Sequence, residues 1–203
     1  MAKNMQPIVK RCRALGISPA VMGYTDKSKL GSTKRNPGAK KRTKKSEYAS
    51  QLNEKQKVKF IYGIQEKQFR AYYEKAAKAP GITGEVLLQT IERRLDNVIF
   101  RLGLAKTRRE ARELVSHGHY TINGKVVNIP SFLVKPGMVI GVKETSRSIE
   151  RIKGFMEEDA FRGLPKWLTY DAKKGEGTVV AMPARDDIDF EVAEHLIVEL
   201  YSK

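Results

Sequence analysis

The stretch RRLDNVIFRLGLAKTRREARELVSHGHYTINGKVV, Arg93 to Val127, decides the fold because it holds several local signals in a fixed order. Thr107-Arg108-Arg109-Glu110 has the form of a capping box, in which a Thr hydroxyl and a Glu carboxylate satisfy the first free amides, so a helix starts at Arg108. Ala111, Leu114 and Val115 give that helix its buried side, Arg108, Arg109 and Arg112 cluster elsewhere on it, and Gly118 ends it. TINGKVV, Thr121 to Val127, then reads as a strand, an Asn-Gly tight turn and the start of a second strand. A capped helix followed by a tight hairpin predicts a small α+β module.

Working outward, GEVLLQTIERRLDNVIFRLG (84–103) carries Leu87, Leu88, Ile91, Leu95, Val98, Ile99 and Leu102 at helical spacing. This predicts one apolar stripe over roughly five turns, closed by Gly103 as a left-handed cap. Arg94, Asn97 and Arg101 fall on the opposite face, expected to be solvated or turned to a partner. Upstream, Ser46-Glu47 begins a helix, and Phe69, Tyr72, Tyr73, Ala76 and Ala77 mark another that Pro80-Gly81 ends. That aromatic stripe is read as core packing rather than base stacking. Downstream, MVIGV is a strand after Pro136-Gly137, and Ile149, Ile152, Phe155 and Met156 indicate a short helix. WLTYD and TVVAM, joined by AKKGEG, indicate a hairpin. Ala193, Leu196, Ile197, Leu200 and Tyr201 mark a terminal helix after the polar connector Pro183 to Asp189.

Charge narrows the function. Lys and Arg number 39 against 23 Asp and Glu, a net +16 over 203 residues, which favours a polyanionic partner. Residues 1–60 hold 16 basic and 3 acidic side chains, whereas 61–203 hold 23 and 20, so the excess sits in the first third. KRNPGAKKRTKK, Lys34 to Lys45, has seven basic residues and no acid, and Pro37-Gly38 blocks a helix. Residues 1–45 are therefore expected to lack order alone and to thread along RNA phosphates. No apolar run approaches the roughly 20 residues a membrane span needs, and the N-terminus lacks a signal-peptide core. A single cysteine, Cys12, excludes an internal disulfide. These features predict a cytosolic protein.

Enzyme signatures are missing from the sequence. There is no phosphate-cradling GxxxxGK[ST] loop and no GxGxxG. Cys12 has no partner marking it as a nucleophile, and His117 and His119 lack a second ligand cluster for a metal. The acidic pairs Glu157-Glu158 and Asp186-Asp187 read as solvated or helix-start charge. No cofactor, metal or small-molecule substrate is expected.

The Arg93–Val127 stretch resembles the RNA-binding module named after ribosomal protein S-four, a module also found in some pseudouridine synthases and a tyrosyl-tRNA synthetase. Ser46–Ala76, Gly81–Asn97, Asn128–Gly137 (NIPSFLVKPG) and Leu196–Lys203 (LIVELYSK) resemble the bacterial-type ribosomal family itself, so the likeness covers nearly the whole chain. It implies a zinc-free, primary binder of 16S rRNA at a multi-helix junction near the 5′ end of that RNA. Such a protein nucleates the body of the 30S subunit and, with the neighbouring proteins S-five and S-twelve, contributes to decoding accuracy. Some members of the family also bind their own messenger RNA. Many relatives carry four N-terminal cysteines for zinc, where this chain has Cys12 alone, and a Gln-His pair where it has Ala39-Lys40.

The implied architecture is α+β: a basic extension (1–45), a helical domain (46–90, completed by 188–203) and an inserted domain (91–187). The inserted domain contains the RNA-binding module, about 93–155, with its small antiparallel sheet. Expected rRNA-binding residues in the extension are Arg11, Arg13, Lys34, Arg35, Lys40, Lys41, Arg42, Lys44 and Lys45. In the helical domain they are Lys55, Lys59 and Arg70. In the inserted domain they are Arg94, Arg101, Arg108, Arg109, Arg112, His117, His119, Asn123 and Lys125.

Overall fold

A helix begins where a short polar side chain can satisfy its first free amides, and two of the expected starts do so. The computed structural model describes residues 7–24, 46–157, 163–171 and 174–202. Helix α1 spans Ile8–Leu15, and a 3-10 turn, Pro19–Met22, follows it. Helix α2, Glu47–Tyr62, starts with the Ser46 hydroxyl accepting from the Ala49 amide at 3.2 Å. Helix α3, Glu66–Lys78, stops ahead of Pro80, and α4 covers Thr83–Glu92. Helix α5 is Leu95–Arg101, and α6 is Arg108–Ser116. At α6 the Thr107 hydroxyl accepts from the Glu110 amide at 3.2 Å, but Glu110 reaches back to the Lys106 amide, at 3.0 Å, instead of closing the box on Thr107.

Strands β1 (Tyr120–Ile122) and β2 (Lys125–Val126) form the expected hairpin across Asn123 and Gly124, both at positive φ, 49° and 79°. Strand β3, Val139–Val142, is followed by α7, Glu144–Arg147, and α8, Glu150–Glu157. Strands β4 (Leu168–Asp171) and β5 (Glu176–Val179) pair as the second hairpin. The five strands make one antiparallel sheet in the order β2-β1-β3-β5-β4, so β3 joins the two hairpins. A second 3-10 turn, Arg185–Asp187, leads to the terminal helix α9, Glu194–Ser202. The α+β class stands.

Two expectations are corrected. The single helix over 84–103 is two helices. At the break, the Leu95 amide donates to Phe132 O (2.9 Å), Asp96 N to Pro130 O (3.1 Å) and Val134 N to Arg93 O (2.9 Å). The segment 130–134 thus takes over backbone groups that a continuous helix would pair within itself. The N-terminus is also not simply an arm. Cys12, Leu15, Ile17 and Met22 are buried in the same apolar cluster as α2, α3, α4 and α9. A second cluster gathers α5, α6, the sheet, Ile152 and Trp167. The segment 25–45 lies outside the described residues.

Candidate nucleic-acid interface

The charged side chains around the helix break turn inward, between the two apolar clusters. Glu92, at the end of α4, is 1% exposed. It accepts hydrogen bonds from the Tyr62 hydroxyl, from Asn97 Nδ2 and from Arg101 Nη2, the last at 2.8 Å. Burial alone would raise its pKa, but Arg101 and Arg108 outweigh burial and hold it below the usual carboxylate range. Arg101 also pairs with Asp189 at 2.9 Å. Arg94 makes a bidentate pair with Asp96, at 3.1 and 2.7 Å, and donates to the Tyr72 hydroxyl at 2.8 Å. Arg112 donates to the same Asp96 at 2.6 Å, to Gly63 O at 2.7 Å and to Tyr62 O at 3.1 Å.

Arg108 completes this layer. It donates to Asn97 Oδ1 (2.8 Å) and to Val21 O (2.7 Å), with its guanidinium centre 4.3 Å from the Phe100 ring centroid and 5.1 Å from that of Tyr62. Its Nη2 is buried and has no partner among the described residues. Burial, then repulsion from Arg101, lowers its pKa, so the local field favours an anion. A cleft of about 30 Å³, room for a water or two, opens beside it between Tyr24, Gly63, Thr107, Arg109 and Arg112.

The solvated polar face expected of Arg94, Asn97 and Arg101 is therefore corrected: all three are buried, because both sides of α5 are covered. Arg108 and Arg112 likewise point mainly at internal acceptors. Burying so many charges is tolerable only because nearly every donor meets an acceptor.

What remains outward lies around the far end of α6 and the β1–β2 hairpin. Arg109 stands half-buried at the mouth of the cleft. His117 is exposed and its ring lies 6.1 Å from that of His119, whose Nδ1 is 3.0 Å from Ser146 Oγ. Partial burial, then His117 and Lys143, lower the His119 pKa, so this ring stays neutral at pH 7. Asn123 and Lys125 are exposed at the hairpin. Asn123 Oδ1 accepts from the Val139 amide at 2.9 Å, tying the turn to β3. Lys143, exposed and backbone-bonded to His119 O at 2.9 Å, belongs to this surface too. Nothing in the sequence around it distinguishes it from any lysine after a strand.

The other expected residues are scattered. Lys55 and Lys59 both pair with Glu66, and Arg70 is exposed and pairs with Glu74 at 3.2 Å. Arg13 is exposed on α1; the neighbouring Arg11 has a buried Nε without a hydrogen-bond partner among the described residues. Lys34, Arg35, Lys40, Lys41, Arg42, Lys44 and Lys45 lie outside the described residues. Cys12 is fully buried with its thiol 3.8 Å from Met22 Sδ, and burial raises its pKa. Among the described residues no group of three or more His, Cys, Asp and Glu is placed to hold a metal ion.

Two family models match the chain: the ribosomal protein S4/S9 N-terminal domain over residues 3–92 and the S4 domain over residues 93–140. Proteins named small ribosomal subunit protein uS4 match it from end to end. Those of Agathobacter rectalis (53% identical over 203 residues), Pelotomaculum thermopropionicum (52% over 208) and Fusobacterium nucleatum (51% over 203) each align over 100% of both chains.

Proposed function

The chain belongs to the small ribosomal subunit protein uS4 family, and from that membership we propose that it is a structural constituent of the small ribosomal subunit that binds ribosomal RNA. It works by binding and not by catalysis. The observation that carries this reading is the unbroken likeness along the full chain, since the hairpin module alone also occurs in RNA-modifying enzymes.

In the finer reading the ligand is a multi-helix junction of 16S rRNA near its 5′ end. Binding there nucleates the subunit body and, with S-five and S-twelve, bears on decoding accuracy; messenger RNA is a further ligand. Folded RNA offers closely spaced phosphates and 2′-hydroxyls, with a deep major groove that side chains cannot read, so recognition is by shape. A rigid protein suits that task. The chain divides into the helical unit and the inserted unit, and the separation of its two apolar clusters supports this division. The ion layer between them supports a fixed angle at which two RNA helices are held.

Arg109, His117, His119, Asn123 and Lys125 are the outward contacts of this reading, joined by Lys143, with the basic residues of 34–45 adding less directional attraction. Arg94, Arg101, Arg108 and Arg112 act chiefly by holding the platform. Replacing Lys125 and Lys143 together by Ala should weaken binding to 16S rRNA by about tenfold at physiological salt, with the urea midpoint unchanged. Filter binding measures this. Undiminished affinity rejects the surface; equal affinity of the unaltered chain for 16S rRNA and an unrelated structured RNA rejects the function.

A further inference from the structure

The cleft beside Arg108 is lined from both apolar clusters. Met22, Phe60 and Tyr62 reach it from the first, and Thr107, Arg108 and Arg112 from α6 and its cap, which pack in the second. Among the described residues no carboxylate lines it.

Charge is unbalanced there. Glu92 and Asp189 pair with Arg101, and Asp96 pairs with both Arg94 and Arg112, so the surplus positive charge of the layer falls on Arg108. That side chain is buried, and Nε and Nη1 donate only to neutral oxygens, Asn97 Oδ1 at 2.8 Å and Val21 O at 2.7 Å. Nη2 meets no acceptor among the described residues. An unneutralised buried cation and an unmet donor are both costly; an anion against Nη2 relieves both, whereas a water relieves only the second. The start of α6 adds to the attraction, since the first amides of this nine-residue helix carry its positive end. Glu110, the acid of that first turn, does not line the cleft: its carboxylate accepts from the Lys106 amide at 3.0 Å and pairs with Arg151. Size then selects the ligand. A space of about 30 Å³ holds one or two waters, which suits a chloride ion and is too small to enclose a phosphate group.

We propose that the cleft is a binding site for a small inorganic anion of the size of chloride, held by Arg108 Nη2 and the start of α6. The ion fastens α6 to α2 and to the turn that carries Met22. It is a site of the free chain, so it goes beyond the RNA-binding role and stands or falls without it.

The test uses the full chain without RNA and takes bromide and chloride as the probes. Crystals grown in a bromide salt should show an anomalous-scattering peak in the cleft, against Arg108 Nη2. In solution, replacing gluconate by chloride at fixed ionic strength, up to about 200 mM, should raise the melting midpoint by about 3 °C and then saturate. Arg109→Gln, at the mouth of the cleft, should raise the chloride concentration needed for half of that shift about threefold. Arg108→Lys removes Nη2 and should abolish both the peak and the difference between the two salts; if it does not fold, the peak in the unaltered chain decides. Water alone in the cleft, bromide only on exposed Lys and Arg (an adventitious ion only), or equal midpoints in the two salts would overturn the proposal. Asp26→Asn tests the chain's own carboxylate, the sole acid among residues 25–45. Bromide in the cleft of that variant but not of the unaltered chain gives the site to Asp26 and overturns the ion.

Discussion

Glu92 is the residue on which the interior ions converge, and its removal is the sharpest test of that layer. It neutralises Arg101 and faces Arg108, neither of which can shed its proton in the protein. Glu92→Ala leaves two buried guanidinium groups beside a hole and should cost about 3–5 kcal/mol, the range for breaking one partner of a buried pair. Glu92→Gln keeps the shape and one acceptor and should cost less. Urea unfolding of the two variants orders them; equal and small losses would mean water enters and replaces the carboxylate. The same logic recasts Arg108 and Arg112. Their truncation strips internal bonds to Asn97, Asp96 and Gly63 O, so any loss of RNA affinity must be corrected for the unfolded fraction.

Between elements, one close approach lies where the turn after Pro19–Met22 meets the loop before α6. Gly23 has φ +86°, and a Cβ there would stand 2.0 Å from Lys106 O and 3.1 Å from Phe100 Cε2. Both the left-handed backbone and the backbone oxygen oppose a side chain. Gly23→Ala should therefore destabilise by about 2–4 kcal/mol and loosen Arg108 from Val21 O, seen as faster amide exchange in α1. A neutral substitution would mean this contact does not hold the N-terminal segment. Caps and tight turns are local chemistry, so Ser46, Thr107 and Asn123-Gly124 were legible from a few neighbouring residues. The break at Arg93–Arg94 was not, since no Gly or Pro marks it and the apolar stripe runs on through it. It exists because residues 130–134, some 40 positions downstream, supply its hydrogen bonds. The inward turn of the arginines has the same origin. Periodicity places them opposite the stripe, and only the second cluster covers that side.

At the scale of the molecule, α9 closes the helical cluster through one carboxylate. Glu66 accepts from the Tyr201 hydroxyl at 2.6 Å and pairs with Lys55 and Lys59 of α2, while Tyr201 stacks on Tyr73 with centroids 4.7 Å apart. Partial burial pushes the Glu66 pKa up, but hydrogen bonds from Lys59, Tyr201 and Lys55 bring it down to about 2 from an ordinary 4.5. The pKa is lower folded than unfolded, so the stabilisation is present above pH 4.5 and fades as pH falls toward 2. Glu66 is half exposed, and solvent screening limits the effect of Glu66→Gln to about 0.5–1 kcal/mol at pH 7. The difference from the unaltered chain should shrink on acidification; a constant difference in urea midpoints would assign the contact to packing. Salt separates the remaining charge. Most arginines of the ion layer pair internally and exchange few counterions with RNA, so the salt dependence of rRNA binding should come mainly from 34–45 and the outward hairpin surface. Each phosphate contact contributes a slope near 0.9 in the logarithmic salt plot. Replacing the seven basic residues between Lys34 and Lys45 by Gln should then flatten the slope by several units without moving the urea midpoint. Truncating 1–45 should do both, because it also removes the buried Cys12, Leu15, Ile17 and Met22. If the seven-fold Gln variant keeps the full slope, the segment stays solvated on the RNA and the counterions are displaced elsewhere.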